Sequence, residues 1–561
     1  MDRPIRGFRA LRSLAVIGAI GLLVAACGGG TSTNQGGQLA ADQTLRFPLN
    51  DDIGTFDPAQ LDAAVDAAFA QNLFDGLLTF DMNLNIVPDI AKEVPSESNG
   101  GISSDGMTYT FKLRNDVKFS NGDKVTSKDV LYSWNRAAKA QGTYASDLDH
   151  VVGYKDVKSK KATTMSGLTA PDDYTVKVQL SEPAGFFLTE VAFFTAATAV
   201  ISEKAVTTGG EDTWWTKPET LIGTGPYKMT ARTPKQSLEF SAVDNWWGSP
   251  KPVIKKVKVE VISDFSSAVA KYDQGGFDDV GFGDMNAAIP NEDVLRIKGG
   301  PKAGELHFIP KTRTTWVGYN FIKGPFAGAA GKDLRKAFAL AIDKDKLVDI
   351  VCSHGITCAK ATGGLISKGL KGYLGDNADP LAKFDAAQAK QLLKSADPTG
   401  TKTAHLVYNY NPSDFNKAIA ENLQSQWQDN LGVKVDLAAT ERQSFFQRRT
   451  KKEYIVFRHS WQADYDHPQD WFDNLFITDA GNGGTGYSNT QLDALVKQAD
   501  AKKTEDALPL YKQASQLMID DAAYAPLVYA LGVFLTKPYV KGPQPNSFID
   551  PYWNLLSIAQ H

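Results

Sequence analysis

The stretch "HLVYNYNPSDFNKAIAENLQSQWQDNLGVKVDLAATERQSFFQRRTKKEYIVFR", residues 405–458, alternates between two apolar periods, and that alternation decides the fold. "HLVYNY" (405–410) reads as a strand. In "SDFNKAIAENLQSQWQDNL" (413–431) the residues Ile419, Leu423, Trp427 and Leu431 recur every fourth position, the stripe of a helix, and Gly432 ends it. "VKVDL" (433–437) is again a strand, "RQSFFQRRTKKE" (442–453) a helix and "YIVFR" (454–458) a strand. Strands and helices taken in turn make an α/β layer, and such layers bind ligands in the crevice past the carboxyl ends of their strands.

The segment that follows, "HSWQADYDHPQDWF" (459–472), sets three acids and two histidines among Trp461, Tyr465, Trp471 and Phe472. With the strand ending at Arg458, its carboxylates stand where a ligand can reach them. Composition alone makes a lone aspartate in such a turn a solvated loop residue. Nearer the start, "MTYTFKL" (107–113) places Met107, Tyr109, Phe111 and Leu113 on one face of a half-buried strand. A helix is expected over 127–140, opened by the Thr126-x-x-Asp129 capping pattern.

Arg3, Arg6, Arg9 and Arg12 precede an apolar run from Leu14 to Ala26, too short to span a bilayer, which reads as an export signal. Its end, Leu23-Val24-Ala25-Ala26-Cys27, resembles the bacterial lipobox, so residues 1–27 are expected to be a signal peptide and Cys27 the lipidated residue. Residues 28–41 are too poor in apolar side chains to pack and read as a flexible tether. The remainder is long enough for two or three lobes, each with a core of its own. A net charge of −4 with acids and bases interspersed excludes a nucleic-acid surface. Cys352 and Cys358, in "CSHGITC", suit a small disulfide loop in an exported chain better than a metal site. G-x-S-x-G, H-E-x-x-H and Ser-x-x-Lys are absent, and "GAAGKD" (328–333) lacks the first glycine and final Ser or Thr of a phosphate loop. No enzyme activity, cofactor or metal is expected. His459, Asp464, Asp466 and His467 are read as a hydrogen-bonded turn before Pro468, since no helix spacing puts both histidines on one face.

Several segments carry a family resemblance: "DIGTFDPAQ" (52–60), "QNLFDGLLTFDMNLNIVPDIAKEV" (71–94), "SSDGMTYTFKLRNDVKFSNGDKVTSKDVLYSWNR" (103–136), "LIGTGPYKMT" (221–230), "DNWWGSPKP" (244–252), "DLRKAFALAIDKDKLVD" (333–349), "FDAAQAKQLLKSA" (384–396) and "ADYDHPQDWF" (463–472). In order and spacing the chain resembles the family 5 extracellular solute-binding proteins of ABC importers, in their di- and oligopeptide-binding branch. The resemblance implies a periplasmic-binding-protein-like two-lobed clamp of the large type II class with an extra subdomain. Lobe one would span 42–312 plus 525–561, with an inserted subdomain at about 84–203, and lobe two 313–524. The chain would cross between lobes near Tyr319 and near Tyr529. It further implies that Asp464 takes the α-ammonium of a peptide and Arg458 a peptide carboxylate, with Trp461 and Tyr465 beside them and "TRTTWVGYNF" (312–321) lining pockets. The implied partners are a short peptide or other small molecule, an ABC permease with its ATPase, and the membrane through a lipid anchor. Nucleic acid is not among them, and the protein would be a monomer on the extracytoplasmic face of the cell membrane. Other members of the family bind oligosaccharides, nickel complexes or opines, and an envelope enzyme or adhesin on the same fold is the remaining alternative.

Overall fold

The computed structural model describes residues 38–61, 64–193, 197–281, 289–550 and 552–561. The signal segment, Cys27 and the tether up to residue 37 lie outside the described residues. Among those described, no helix is long and apolar enough to cross a membrane.

The alternating stretch folds as α/β, with shifted boundaries. Strands Leu406–Tyr410 and Val435–Ala439 pair in parallel, and the helix Asp414–Leu431 connects them. Ser413 caps that helix by accepting from the Asn416 N–H, and Gly432 closes it at φ 74°, a conformation that costs glycine nothing. Ile419, Leu423 and Trp427 are fully buried, and the Trp427 indole N–H donates to the Phe338 carbonyl at 3.0 Å. The next helix is Arg442–Thr450, shorter than the sequence suggests, because Lys452 turns to φ 57°. The last strand is Val456–Gln462, not 454–458. Its polar half, Ser460 to Gln462, continues because it pairs antiparallel with Thr315, Thr314 and Arg313, which supply the backbone partners a free end would lack.

Two long strands, Leu306–Tyr319 and Tyr524–Thr536, hold the halves of the molecule together. Their inner parts pair with Val456–Gln462 and Cys358–Lys360, and the outer part of Tyr524–Thr536 pairs with Asp279–Val280. Their mutual register slips between Pro310 and Thr314, opposite Leu531 and Tyr529. Past the slip, Trp316, Val317 and Tyr319 belong to one buried core with Trp427, Trp471 and Tyr524. On the other side, Leu45, Phe47, Phe69, Phe240 and Trp553 fill a second core beneath the sheet of Thr44–Leu49, Lys256–Val261, Ser237–Ala242 and Tyr227–Thr233. A third core joins the helix Ser127–Ala140 to a three-stranded sheet that includes Thr108–Lys112. Tyr109 and Phe111 point into it, and the Asp129 carboxylate accepts from the Thr126 N–H at 2.8 Å. The architecture is a mixed α/β protein of two lobes.

Cys352 and Cys358 are joined by a disulfide, with Cα atoms 5.1 Å apart, at the start of the strand Cys358–Lys360. Closing so short a loop removes little entropy from the unfolded chain, about 2 kcal/mol. The double serine variant should therefore melt a few degrees lower than the oxidised protein in a thermal scan. An unchanged melting temperature would mean that the Cys352 N–H to Val348 carbonyl bond, at 2.9 Å, already fixes the loop.

Candidate functional site

The carboxyl end of the strand Val456–Gln462 opens on a cavity between the lobes. Gln462, Ala463, Asp464, Tyr465 and Asp466 form one wall. Ala67, Gln71, Tyr144, Phe193 and Phe548 stand opposite, and Thr312, in the slipped stretch of the long strand, closes the side between. Asp464, Asp466 and Asp550 contribute to the wall, and no lysine, arginine or histidine does so among the described residues. Such a wall favours a positive group.

Asp464 is half-buried, and its backbone N–H donates to Asp470 Oδ2 at 3.3 Å. Asp470 is held in turn by the Trp461 indole N–H at 2.8 Å and by the Asn474 amide. Loss of solvent pushes the Asp464 carboxyl up to about 7, against the pull of its hydrogen bond with Asp470. Without a cation beside it, this group holds a proton near neutrality. Asp466 is already matched: it accepts from the Lys371 N–H at 2.7 Å and pairs with the Lys371 ammonium at 3.4 Å. The Tyr465 hydroxyl donates to Gln469 Oε1 at 2.5 Å, and its ring lies 6.3 Å from Phe193 of the opposite lobe.

The two histidines do not converge on the acids in the single turn that the sequence suggests. His459 lies within the strand, stacked on Trp316 at 4.4 Å, and burial drives its pKa well down. His467 packs between Phe186 and Tyr511, and burial takes it to about 3. Among the described residues, no group of three or more His, Cys, Asp and Glu is arranged to hold a metal ion. Trp461 and Trp471 are not on the cavity wall: Trp461 positions Asp470, and Trp471 is core.

Arg458 is also off the wall, 8% exposed. Side chains alternate along a strand, so Arg458 shares a sheet face with Gln462, which does line the cavity and accepts from Arg313 at 2.7 Å. Arg458 donates to Asn411 at 3.4 Å, its Nε is unsatisfied, and no carboxylate forms an ion pair with it among the described residues. Burial, with Arg313 and Arg449 nearby, lowers its guanidinium to about 10. Arg458 lies roughly 13 Å back along the strand from Gln462, whereas Arg313 pairs with Gln462 itself at the cavity end.

Residues 85–483 match the sequence profile of the bacterial extracellular solute-binding proteins, family 5. The chain belongs to this family. As a family 5 solute-binding protein it is a transport receptor and not an enzyme. It is 28% identical to the periplasmic oligopeptide-binding protein OppA of Escherichia coli K12, over 98% of this chain and 99% of that protein. It is 27% identical to the oligopeptide-binding protein OppA of Bacillus subtilis 168, over 93% and 94% of the two chains. Among solved structures, Haemophilus influenzae OppA in complex with RPPGFSPFR superposes with a TM-score of 0.71 at 25% identity, covering 93% of this chain and all of that one. What no local pattern in this family 5 chain discloses is the opposite wall. Phe193 on that wall meets the Tyr465 ring and carries Tyr144 against it, and Glu190, behind the wall, meets the Tyr465 hydroxyl from 275 positions away in sequence.

Proposed function

We infer that this family 5 protein is the peptide-capturing receptor of an ABC importer. It would be tethered through lipid on Cys27 at the extracytoplasmic face and would pass its cargo to a permease and its ATPase. The observation that carries this is the Asp464 carboxylate on the wall of an interlobe cavity that, among the described residues, is lined by acids and no bases. An α-ammonium offers three donors and one charge, and in a space poor in water an unmatched charge of either sign is costly. The unpaired guanidinium of Arg458, on the Gln462 face, supplies the opposite charge for a terminal carboxylate. Relatives named for oligopeptide binding on both sides of the comparison, by sequence and by structure, agree with this reading. Main-chain pairing along the cleft would let one site take many side chains.

We take lobe one as 42–312 plus 525–561, with its subdomain at about 84–203, and lobe two as 313–524. We take the hinge to lie near Tyr529 and, on the other strand, between Pro310 and Thr314, a reading supported by the loss of register there and by the burial of Tyr319 in a core. A ligand that touches both lobes stabilises their approach by its differential affinity, and roughly 5 kcal/mol moves such an equilibrium from mostly apart to mostly together.

Calorimetric titration with alanine tripeptide, its N-acetyl form, a cello-oligosaccharide and Ni²⁺ tests the function. Binding of the free tripeptide, weakened at least thirtyfold by acetylation, is the expected result. Saturation by the sugar or the metal ion with no response to peptide would overturn it.

A further inference from the structure

Behind the Tyr465 side of the cavity the two lobes meet along a seam that, among the described residues, buries acids without bases to match them. Asp147 and Glu190, from lobe one, are 7% and 3% exposed, and Asp147 Oδ2 and Glu190 Oε2 have no hydrogen-bond partner. The Tyr465 hydroxyl has one proton, committed to Gln469 at 2.5 Å, and stands 3.5 Å from the other Glu190 oxygen. From lobe two, Asp464 and Asp470 complete the group: burial raises Asp147, Glu190 and Asp470 well above the usual carboxylate range, and the neighbouring acids add to it, Asp464 on Asp147 and on Asp470, Asp147 on Glu190. Asp473, which also raises Glu190, accepts from the Gln469 amide at 2.7 Å. Nearby His150 sits with Asp149 at 3.3 Å and is spent there, and His467 is neutral among aromatic rings.

Buried carboxyl oxygens that no protein donor reaches carry a desolvation cost, and each asks for a partner. A single α-ammonium at Asp464 would match one of these carboxylates and leave Asp147 and Glu190 as they are. We propose that the seam formed by Asp147, Glu190 and Asp464 is a second cation subsite, which takes the positively charged side chain of a basic first residue while Asp464 holds the α-ammonium. The subsite adjoins the cavity through Tyr465, which lines it, stands 3.5 Å from Glu190 and packs its ring 6.3 Å from that of Phe193; Asp147 follows the cavity-lining Tyr144 by three positions. The protein is then selective for peptides that begin with lysine, arginine or a similar dication. This inference rests on the peptide reading above and deepens it.

Titration of the full mature protein with Lys-Ala-Ala, norleucine-Ala-Ala and Glu-Ala-Ala separates the two ideas. Lys-Ala-Ala is expected to bind at least tenfold more tightly than its uncharged norleucine counterpart, with Glu-Ala-Ala weakest. Asp147→Asn or Glu190→Gln should bring the lysine and norleucine peptides to within threefold of each other. Norleucine and lysine peptides of equal affinity on the parent protein would overturn the subsite and leave the peptide reading standing. If none of the three binds, the peptide reading itself fails. The subsite is then judged on thermal shifts with 1,5-diaminopentane against pentylamine: a larger shift for the diamine, lost in Glu190→Gln, supports it, and equal shifts overturn it.

Discussion

Alanine at position 185 is expected to pry the lobes apart along their seam and to lower affinity for a short peptide at least tenfold, while each lobe stays folded. The Gly185 N–H donates to the Asp500 carbonyl at 2.7 Å, so backbone meets backbone across the interface. A Cβ built at Gly185 would lie 1.7 Å from the Lys502 carbonyl oxygen, well inside any contact real atoms make, and the obstacle is main chain that cannot rotate aside. One lobe must move, and the contacts around it go too: the Lys503 ammonium to Glu97 at 2.9 Å and the Phe186 ring against His467 at 5.8 Å. Since ligand binding depends on both lobes reaching the same molecule, the loss appears as affinity rather than as unfolding. Solution scattering should show a larger radius of gyration, and circular dichroism should be unchanged. Gly304→Ala serves as control, because a Cβ there meets nothing within 4 Å. A variant at 185 with the parent's radius and affinity would show that the seam plays no part in capture.

How much of this was readable beforehand differs by kind of signal. The helix Asp414–Leu431 is visible in sequence because its cap, apolar stripe and terminal glycine all lie within one local segment. The strand Val456–Gln462 is misjudged at both ends, since its last residues are polar and owe their conformation to a partner strand more than a hundred positions away in the chain. Asp464 could be singled out by its motif. Its setting could not: that it faces Tyr144 and Phe193, that Asp466 is neutralised by Lys371 and that Trp461 serves Asp470 are all products of tertiary packing. Likewise the acids Asp147 and Glu190 are, in sequence, ordinary members of short helical segments. Only the meeting of lobes turns them into a buried pair with bare oxygens.

Asp464→Asn, which keeps the shape of the side chain and removes its charge, should weaken binding of any peptide with a free amino terminus by ~2–5 kcal/mol, because the ammonium is then buried without a counter-charge. The pH dependence offers the sharper test. Loss of solvation holds the Asp464 pKa near 7, above the usual carboxylate range, so the proton is retained below neutrality. The sign follows: a folded-state acid that binds its proton more tightly than the unfolded chain makes stability fall as pH rises from the ordinary carboxylate range toward 7. A bound ammonium favours the ionised form and expels that proton. Affinity must therefore rise with pH up to about 7, by as much as about tenfold per unit where one group dominates. It declines again above about 8, as the peptide's own amino group loses its charge. Calorimetry in buffers of different ionisation enthalpy should detect a proton released on binding at pH 6, and Asp464→Asn should abolish both that release and the rising limb. A parent profile that stays flat from pH 5.5 to 7, with an asparagine variant binding within threefold of it, would place the peptide's ammonium elsewhere in the cleft.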